Sequence, residues 1–257
     1  MMYAMCMLVI FFRAVDDCPV LVAANREEYY DRQGTEPQLW EREPSFVAGR
    51  DPRAGGTWLG VNQHGILIAI TNRPKLRHPP PPRSRGLLCL DLLSSRTARA
   101  AHEWALDEFD RQTYAGCNLL AIDAAGAYVV QAGEFLRSCP LPPGIHIVTA
   151  RGLNETTDER TAYAFDQLAS FGPRTAIEWL DELPRLCGDH GNSAHPPICL
   201  HAGDRGTVSS SIIALPEDRK QARWLHAQGP PCDAAFNDFS HLVVQLFGIQ
   251  QLAREAF

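Results

Sequence analysis

The 257-residue chain has no C-x-x-C pair, no block of basic residues and no apolar run of bilayer-spanning length. Without C-x-x-C there is neither a zinc knuckle nor a thioredoxin-like redox pair. Lysine and arginine number 24 against 30 aspartates and glutamates, for a net charge of −6. Their scatter along the chain argues against a nucleic-acid surface. Met1 to Phe12 is apolar, but it has no basic start and no small-x-small site follows Arg13. A stretch of about a dozen residues is also short of a membrane span, so it reads as a strand. The eight cysteines are too dispersed for a disulfide framework; free, mostly buried thiols in a cytoplasmic protein with no stable membrane insertion are expected. No internal repeat or clear linker divides the chain. One domain over 1–257 is therefore expected, with 1–5 as an extra N-terminal segment and 238–257 as a docked C-terminal helix.

What is present is 45% apolar and 21% charged residues, enough for a sizeable core. The stretch Met5 to Arg32 organises the reading. Cys6 precedes the apolar run Met7 to Phe12, a polar turn follows at Asp16-Asp17-Cys18-Pro19, and a second apolar run, Val20 to Ala24, ends in Asn25-Arg26-Glu27-Glu28. Two such runs around a turn predict a buried β-hairpin, which brings Cys6 close to Asn25 and Arg26. A cysteine beside a fixed positive charge can become a thiolate near neutral pH. The same residues also admit a plainer reading, with Cys6 as core filler and Arg26 paired to Glu27 or Glu28 in a solvated turn.

Further along, Gln33 to Pro44 reads as a surface loop. Thr57 to Val61 and Ile66 to Thr71 form a hairpin across Asn62-Gln63-His64-Gly65, with His64 a solvated turn residue. Asn72, followed by Arg73, ends its strand much as Asn25, followed by Arg26, ends the first hairpin; the pairs suggest one polar site at a common sheet edge, or two turn formers. Pro74 to Pro82, with four consecutive prolines, predicts an extended loop of the kind that rims sites. Arg96 to Phe109 has helical spacing, with Ala100, Trp104, Leu106 and Phe109 facing a core. Strands are expected at Asn118 to Ile122, Ala127 to Gln131, Ile145 to Thr149 and Val208 to Leu215, with a weaker candidate at Ile198 to His201. Helices are expected at Asp158 to Phe171 and Ala176 to Leu186. Hairpin-paired strands with helices grouped apart from them predict an α+β fold of antiparallel sheets covered by helices.

Several motifs occur in order: Met5-Cys6, Asn25-Arg26-Glu27-Glu28, Ala48-Gly49-Arg50-Asp51, Gly55-Gly56-Thr57-Trp58-Leu59-Gly60-Val61, Ile68-Ala69-Ile70-Thr71-Asn72, Arg83-Ser84-Arg85-Gly86 and Gly116-Cys117-Asn118-Leu119-Leu120. Together they resemble the NRDE family, also called the Transport and Golgi organisation protein 2 family. The match is dense from Cys6 to about Gly133. The resemblance implies a four-layer αββα sandwich similar to the N-terminal nucleophile hydrolases. It also implies ligand-binding roles for Asn25, Arg26, Glu28, Arg50, Trp58, Asn72, Arg85 and Asn118.

Two functions follow from the resemblance. In the first, an intracellular carrier or chaperone holds haem or a similar hydrophobic metabolite, with haem or an acyl compound as ligand and no cofactor required. In the second, an N-terminal-cysteine amidohydrolase acts on a non-peptide amide or thioester. There Cys6 is nucleophile and carries the α-amine base, Arg26 holds the thiolate and Asn72 supplies an oxyanion donor. The second reading requires Cys6 to be the functional N-terminus. Two departures from the family pattern favour the carrier: Ala150 where asparagine is usual, and Val208 where arginine is usual. A non-catalytic scaffold has only the apolar tail and the proline loop behind it. Nothing in the spacing marks a haem ligand. His190, His195 and His201 lie near Cys187 and Cys199, but the gaps fit no common zinc spacing and Pro196-Pro197 stiffens the segment. That region reads as a loop, and no metal site is expected.

Overall fold

The structure, a computed structural model, describes residues 6–76, 82–172 and 174–255, with side chains through 249. The chain opens with β1 (Met7–Val15) and β2 (Cys18–Tyr29), followed by β3 (Gln38–Trp40), β4 (Phe46–Ala48), β5 (Leu59–Asn62) and β6 (Leu67–Asn72). Next come α1 (Arg85–Leu92), α2 (Ala98–Arg111), β7 (Cys117–Ile122), β8 (Ala127–Ala132), β9 (Leu136–Pro140) and β10 (Gly144–Val148). The last part holds α3 (Glu159–Phe171), α4 (Ala176–Cys187), β11 (His201–Ala202), β12 (Arg205–Leu215), β13 (Arg223–Ala227), β14 (Asn237–Asp238) and α5 (Ser240–Glu255).

Two antiparallel sheets form. The first runs β10-β1-β2-β12-β13-β14 with β11 added beside β12, and the second runs β3 to β9 in chain order. β1 is buried on both faces, which is why it reads as an unbroken apolar run. Leu8, Ile10 and Phe12 join Val47, Leu59, Val61, Leu67 and Leu120 in the core between the sheets. Met7, Val9 and Phe11 face the other way, onto Tyr163, Trp179 and Leu183 of α3 and α4. On the far side Ile66, Ile68 and Ile70 pack on Leu88, Leu92 and Ala101 of α1 and α2. The order of layers is helix, sheet, sheet, helix: the αββα arrangement.

The helices begin where side chains cap them. Thr97, Asp158 and Thr175 each accept from a backbone N–H of the first turn, and Thr175 and Glu178 form a reciprocal capping box. α5 docks through Val243, Leu246 and Phe247 on the inter-sheet core. Among the described residues no helix is long and apolar enough to cross a membrane.

Several expectations need correction. Gln33 to Pro44 is not all loop, because β3 pairs there with β4 as the edge of the second sheet. The exposed edge strand β9 lies in a stretch with no apolar alternation to mark it. The Ile198 to His201 strand shrinks to the two residues of β11. In α2 the buried stripe is Ala98, Ala101 and Ala105, while Trp104 is exposed. Small side chains let this helix sit close on β7 and β8, and the tryptophan is turned outward. Residues 77–81, the centre of the expected proline rim, lie outside the described residues.

Candidate functional site

β2 continues through Asn25-Arg26-Glu27-Glu28 as strand, so these residues are not a turn. Met7 pairs with Asn25, which sets Cys6 beside the Arg26–Glu27 backbone. The Glu27 N–H donates to Cys6 Sγ at 3.3 Å, and the thiol faces the Glu27 carbonyl at 3.6 Å. On the other side of β2, β12 pairs through Arg26–Ser209, with a bulge between Thr207 and Ser209.

A cavity of about 270 Å³ opens over Cys6. Cys6, Arg26 and Glu28 line it from the first sheet; Trp58, Ile70 and Asn72 from the second; and Arg83, Ser84 and Arg85 from the entry to α1. The site therefore lies between the two sheets and not on one common edge: Asn25 belongs to the first sheet and Asn72 to the second.

Close backbone approaches shape the cavity wall. The Thr57 N–H donates to the Gly86 carbonyl at 3.1 Å, and a Cβ on Gly56 would overlap the Gly86 backbone. A Cβ on Gly34 or Gly49 would overlap the Trp58 ring, so that ring is clamped. The Arg26 guanidinium lies 4.4 Å from the ring centroid, within cation–π range, and its Nη1 donates to the Arg32 carbonyl at 3.1 Å. Arg32 in turn bridges Glu28 and Asp51, at 3.0 and 2.8 Å. Arg83 is held by Asp91 and the Tyr114 hydroxyl. Arg85 donates to the Gly116 carbonyl at 2.7 Å.

The electrostatics differ from the expectation of a ready thiolate. Burial first, and then the Glu27 carboxylate, push the Cys6 thiol up to about 11; the Glu27 amide, the Arg26 charge and the Asn72 backbone pull the other way and lose. Burial also pulls Arg26 below its ordinary value. With a residue ahead of Cys6, its alkylation is expected to be slow at neutral pH and to rise about tenfold per pH unit through pH 9. Arg26→Ala slows it further. Following the Cys6 peptide by mass spectrometry checks this without interference from the exposed Cys139 and Cys232. Equal rates for the two proteins from pH 6 to 9 would show that Arg26 does not tune Cys6.

Of the expected residues, Cys6, Arg26, Glu28, Trp58, Asn72 and Arg85 meet at the cavity. Three do not line it. Asn25 Nδ2 turns behind the strand to the Cys187 and Ile198 carbonyls, at 2.9 and 3.3 Å. Arg50 is exposed near the Trp40 ring. Asn118 is buried, bonding Thr71, the Thr149 carbonyl and Arg73, so Arg73 also leaves the site. Ala150 and Val208, the two departures from the family pattern, are buried and off the lining.

Sequence reasoning passed over Arg32, Asp51, Thr57 and Ser84, all cavity residues inside or next to the quoted motifs. It also missed Glu27 as a buried charge, paired with Arg160 at 3.0 Å; the signal was an acid within a strand otherwise buried on both faces. Away from the cavity, His190, Cys199, His201 and Cys232 converge, their ligand atoms all within 4.8 Å of one another. The region is loop as far as β11, as expected, and Cys232 joins it from 31 positions beyond His201. His195 instead stacks on Tyr163, and Cys187 is buried outside the cluster.

The fold is shared with solved structures of hydrolases. A variant of conjugated bile acid hydrolase from Clostridium perfringens superposes with a TM-score of 0.53 and 10% identity, covering 91% of this chain and 96% of that one. The N-acylethanolamine-hydrolyzing acid amidase orthologue of Caenorhabditis elegans gives 0.51 and 12%, covering 81% and 92%. At such identity these likenesses concern the fold alone. In sequence, the Transport and Golgi organization protein 2 homolog of Bos taurus is 32% identical over 256 residues, spanning 82% of this chain and 90% of that protein. The Mus musculus homolog is 33% identical over 127 residues, 46% of this chain and 45% of that protein. The sequence profile for Transport and Golgi organisation 2 matches residues 5–178, and the chain belongs to that family.

Proposed function

We propose that the protein is an N-terminal-cysteine hydrolase of acyl amides or thioesters whose polar end is anionic. The observation that carries this reading is the seat of Cys6: its sulfur is held at the head of β1 by the Glu27 N–H, on the wall of a cavity shared with Arg26, Asn72 and Arg85. If Cys6 is the functional N-terminus, its α-amine takes the thiol proton and the sulfur attacks the substrate carbonyl. Asn72 and Arg26 offer donors to the oxyanion. The C–N or C–S bond then breaks, the proton passes to the leaving group, and water releases the acid from the acyl-cysteine. Arg26 and Arg85 donate to backbone carbonyls while Arg32 and Arg83 are taken up by carboxylates, which suits the first two to a substrate anion. The departures at Ala150 and Val208 weigh less against this chemistry because neither residue lines the cavity.

The carrier reading, with haem or a similar flat metabolite as ligand, has one observation in its favour. A wider cleft of about 720 Å³ on the outer face of the first sheet includes Val15, Ile145, Phe165, Leu168 and Trp179. Its size and its apolar residues suit such a ligand better than the smaller, cation-lined cavity does.

One pair of measurements separates the two. A panel of acyl amides and thioesters should leave an acyl adduct on the Cys6 peptide and release product, and Cys6→Ala should abolish both. Haem titration should be weak and unsaturable. Saturable, near-stoichiometric haem binding in both proteins, with no Cys6 adduct from any substrate, would replace the hydrolase with the carrier.

A further inference from the structure

We propose that His190, Cys199, His201 and Cys232 form a structural zinc site behind the Cys6 cavity. The cluster has two sulfurs and two imidazoles. Cys199 Sγ lies 3.6 Å from Cys232 Sγ and 3.7 Å from His201 Nε2, and His201 Nε2 lies 3.3 Å from Cys232 Sγ. A tetrahedral zinc with Zn–S about 2.3 Å and Zn–N about 2.0–2.1 Å sets these edges near ~3.8 Å for S···S and ~3.5 Å for S···N. The His190 and His201 rings stand edge to face, 5.1 Å apart at 85°, and the four ligand atoms all lie within 4.8 Å of one another. Two thiolates with two imidazoles in a tetrahedral set select zinc over harder ions. Four protein ligands leave no open position, the mark of a structural site.

The backbone around the cluster is already tied into one unit. The Asp189 carbonyl accepts the Ile198 and Cys199 N–H groups, at 2.9 and 2.7 Å. The loop carrying Cys232 comes so close that a Cβ on Gly188 would lie 3.0 Å from the Pro231 carbonyl oxygen. The same segment supports the cavity. The Ile198 carbonyl receives Asn25 Nδ2 and Arg160 Nη2, and Arg160 pairs with Glu27, whose N–H holds Cys6. An ion joining the 188–201 segment to the loop that carries Cys232 would fix the segment on which that chain of contacts rests.

The test uses the full chain without an affinity tag, expressed with zinc in the medium and purified without chelator. Elemental analysis should find one zinc per chain. Cys199→Ser/Cys232→Ser should lower this roughly tenfold or more, and His190→Ala, at an exposed position, should weaken zinc retention against a chelator while the protein stays folded. Cys6→Ala and Cys139→Ser should keep the ion. Cobalt added to the zinc-free protein should show thiolate-to-metal charge transfer and tetrahedral ligand-field bands in the wild type and not in the double variant. Wild-type protein that holds no zinc and gives no cobalt spectrum would overturn the proposal. So would zinc-free protein in which non-reducing peptide mapping finds Cys199 and Cys232 joined as a disulfide.

Discussion

A chain that begins at Cys6 is expected to hydrolyse its acyl substrate about 10²–10⁴ times faster than one that keeps a single residue in front of it, the usual worth of a positioned general base. The cause is local. Burial and the Glu27 carboxylate push the Cys6 thiol up to about 11, so the side chain alone supplies little thiolate at neutral pH. An α-amine has an ordinary pKa of about 7.7–8.0 and would sit on the same residue as the sulfur, both as base and as a compensating positive charge. An amide nitrogen, which replaces it when any residue precedes Cys6, can do neither. The comparison needs two proteins made by specific cleavage, one starting at Cys6 and one with an added alanine, each assayed for turnover from pH 6 to 9. Intact mass of protein from the native host shows which form the cell makes. Equal rates in the two forms would remove the amine from the mechanism. Absence of turnover in both would remove the hydrolase reading with it.

The fold was largely legible where burial leaves a period or an unbroken run in the sequence. β1, β6 and β12 have apolar residues on both faces because each sheet has a partner sheet on one side and helices on the other, and all three were read. What escaped was set by contacts far along the chain. β3 and β9 are sheet edges whose existence depends on the neighbour they pair with. The buried face of α2 is a row of alanines, which apolarity alone does not distinguish from filler. At the site, motif resemblance found Cys6, Arg26, Glu28, Trp58, Asn72 and Arg85, all on the cavity. It could not tell them from Asn25 and Asn118, which occupy equally recognisable positions but spend their amides on backbone carbonyls behind the strands. The His–Cys cluster was legible only in part, because His190, Cys199 and His201 are near one another in sequence while Cys232 is not. Cys232 is brought to the other three by the return of the chain through β12 and β13, and local spacing has no record of that.

Replacing Arg160 by methionine is expected to destabilise the fold by about 3–5 kcal/mol, the range for stranding one member of a buried ion pair. For a chain of this length that lowers Tm by roughly 6–20 °C. Glu27 is wholly buried and Arg160 nearly so. Glu27 Oε1 accepts from Arg160 Nη2 at 3.0 Å and from the Thr207 hydroxyl at 3.1 Å, while Oε2 has no partner among the described residues. Burial pushes Glu27 up to about 7, and Arg160 and Thr207 only partly offset it. The folded state therefore holds the proton more tightly than the unfolded chain, whose ordinary value is about 4.3. Stability falls as pH rises from that value to about 7, then levels off. Without Arg160 the folded pKa moves higher still, and the fall continues past pH 7. The variant's deficit should thus be smaller at pH 5, where Glu27 is protonated in the variant, and larger at pH 8. Adding Glu27→Gln to Arg160→Met removes the charge and should recover much of the loss at pH 8 and little at pH 5. Denaturant unfolding of the three proteins at both pH values decides it. A deficit under about 1 kcal/mol, or one that does not grow with pH, would mean that Glu27 is not a buried charge held by Arg160. The Cys6 sulfur, which takes its hydrogen bond from the Glu27 N–H, would then owe its position to the strand pairing alone.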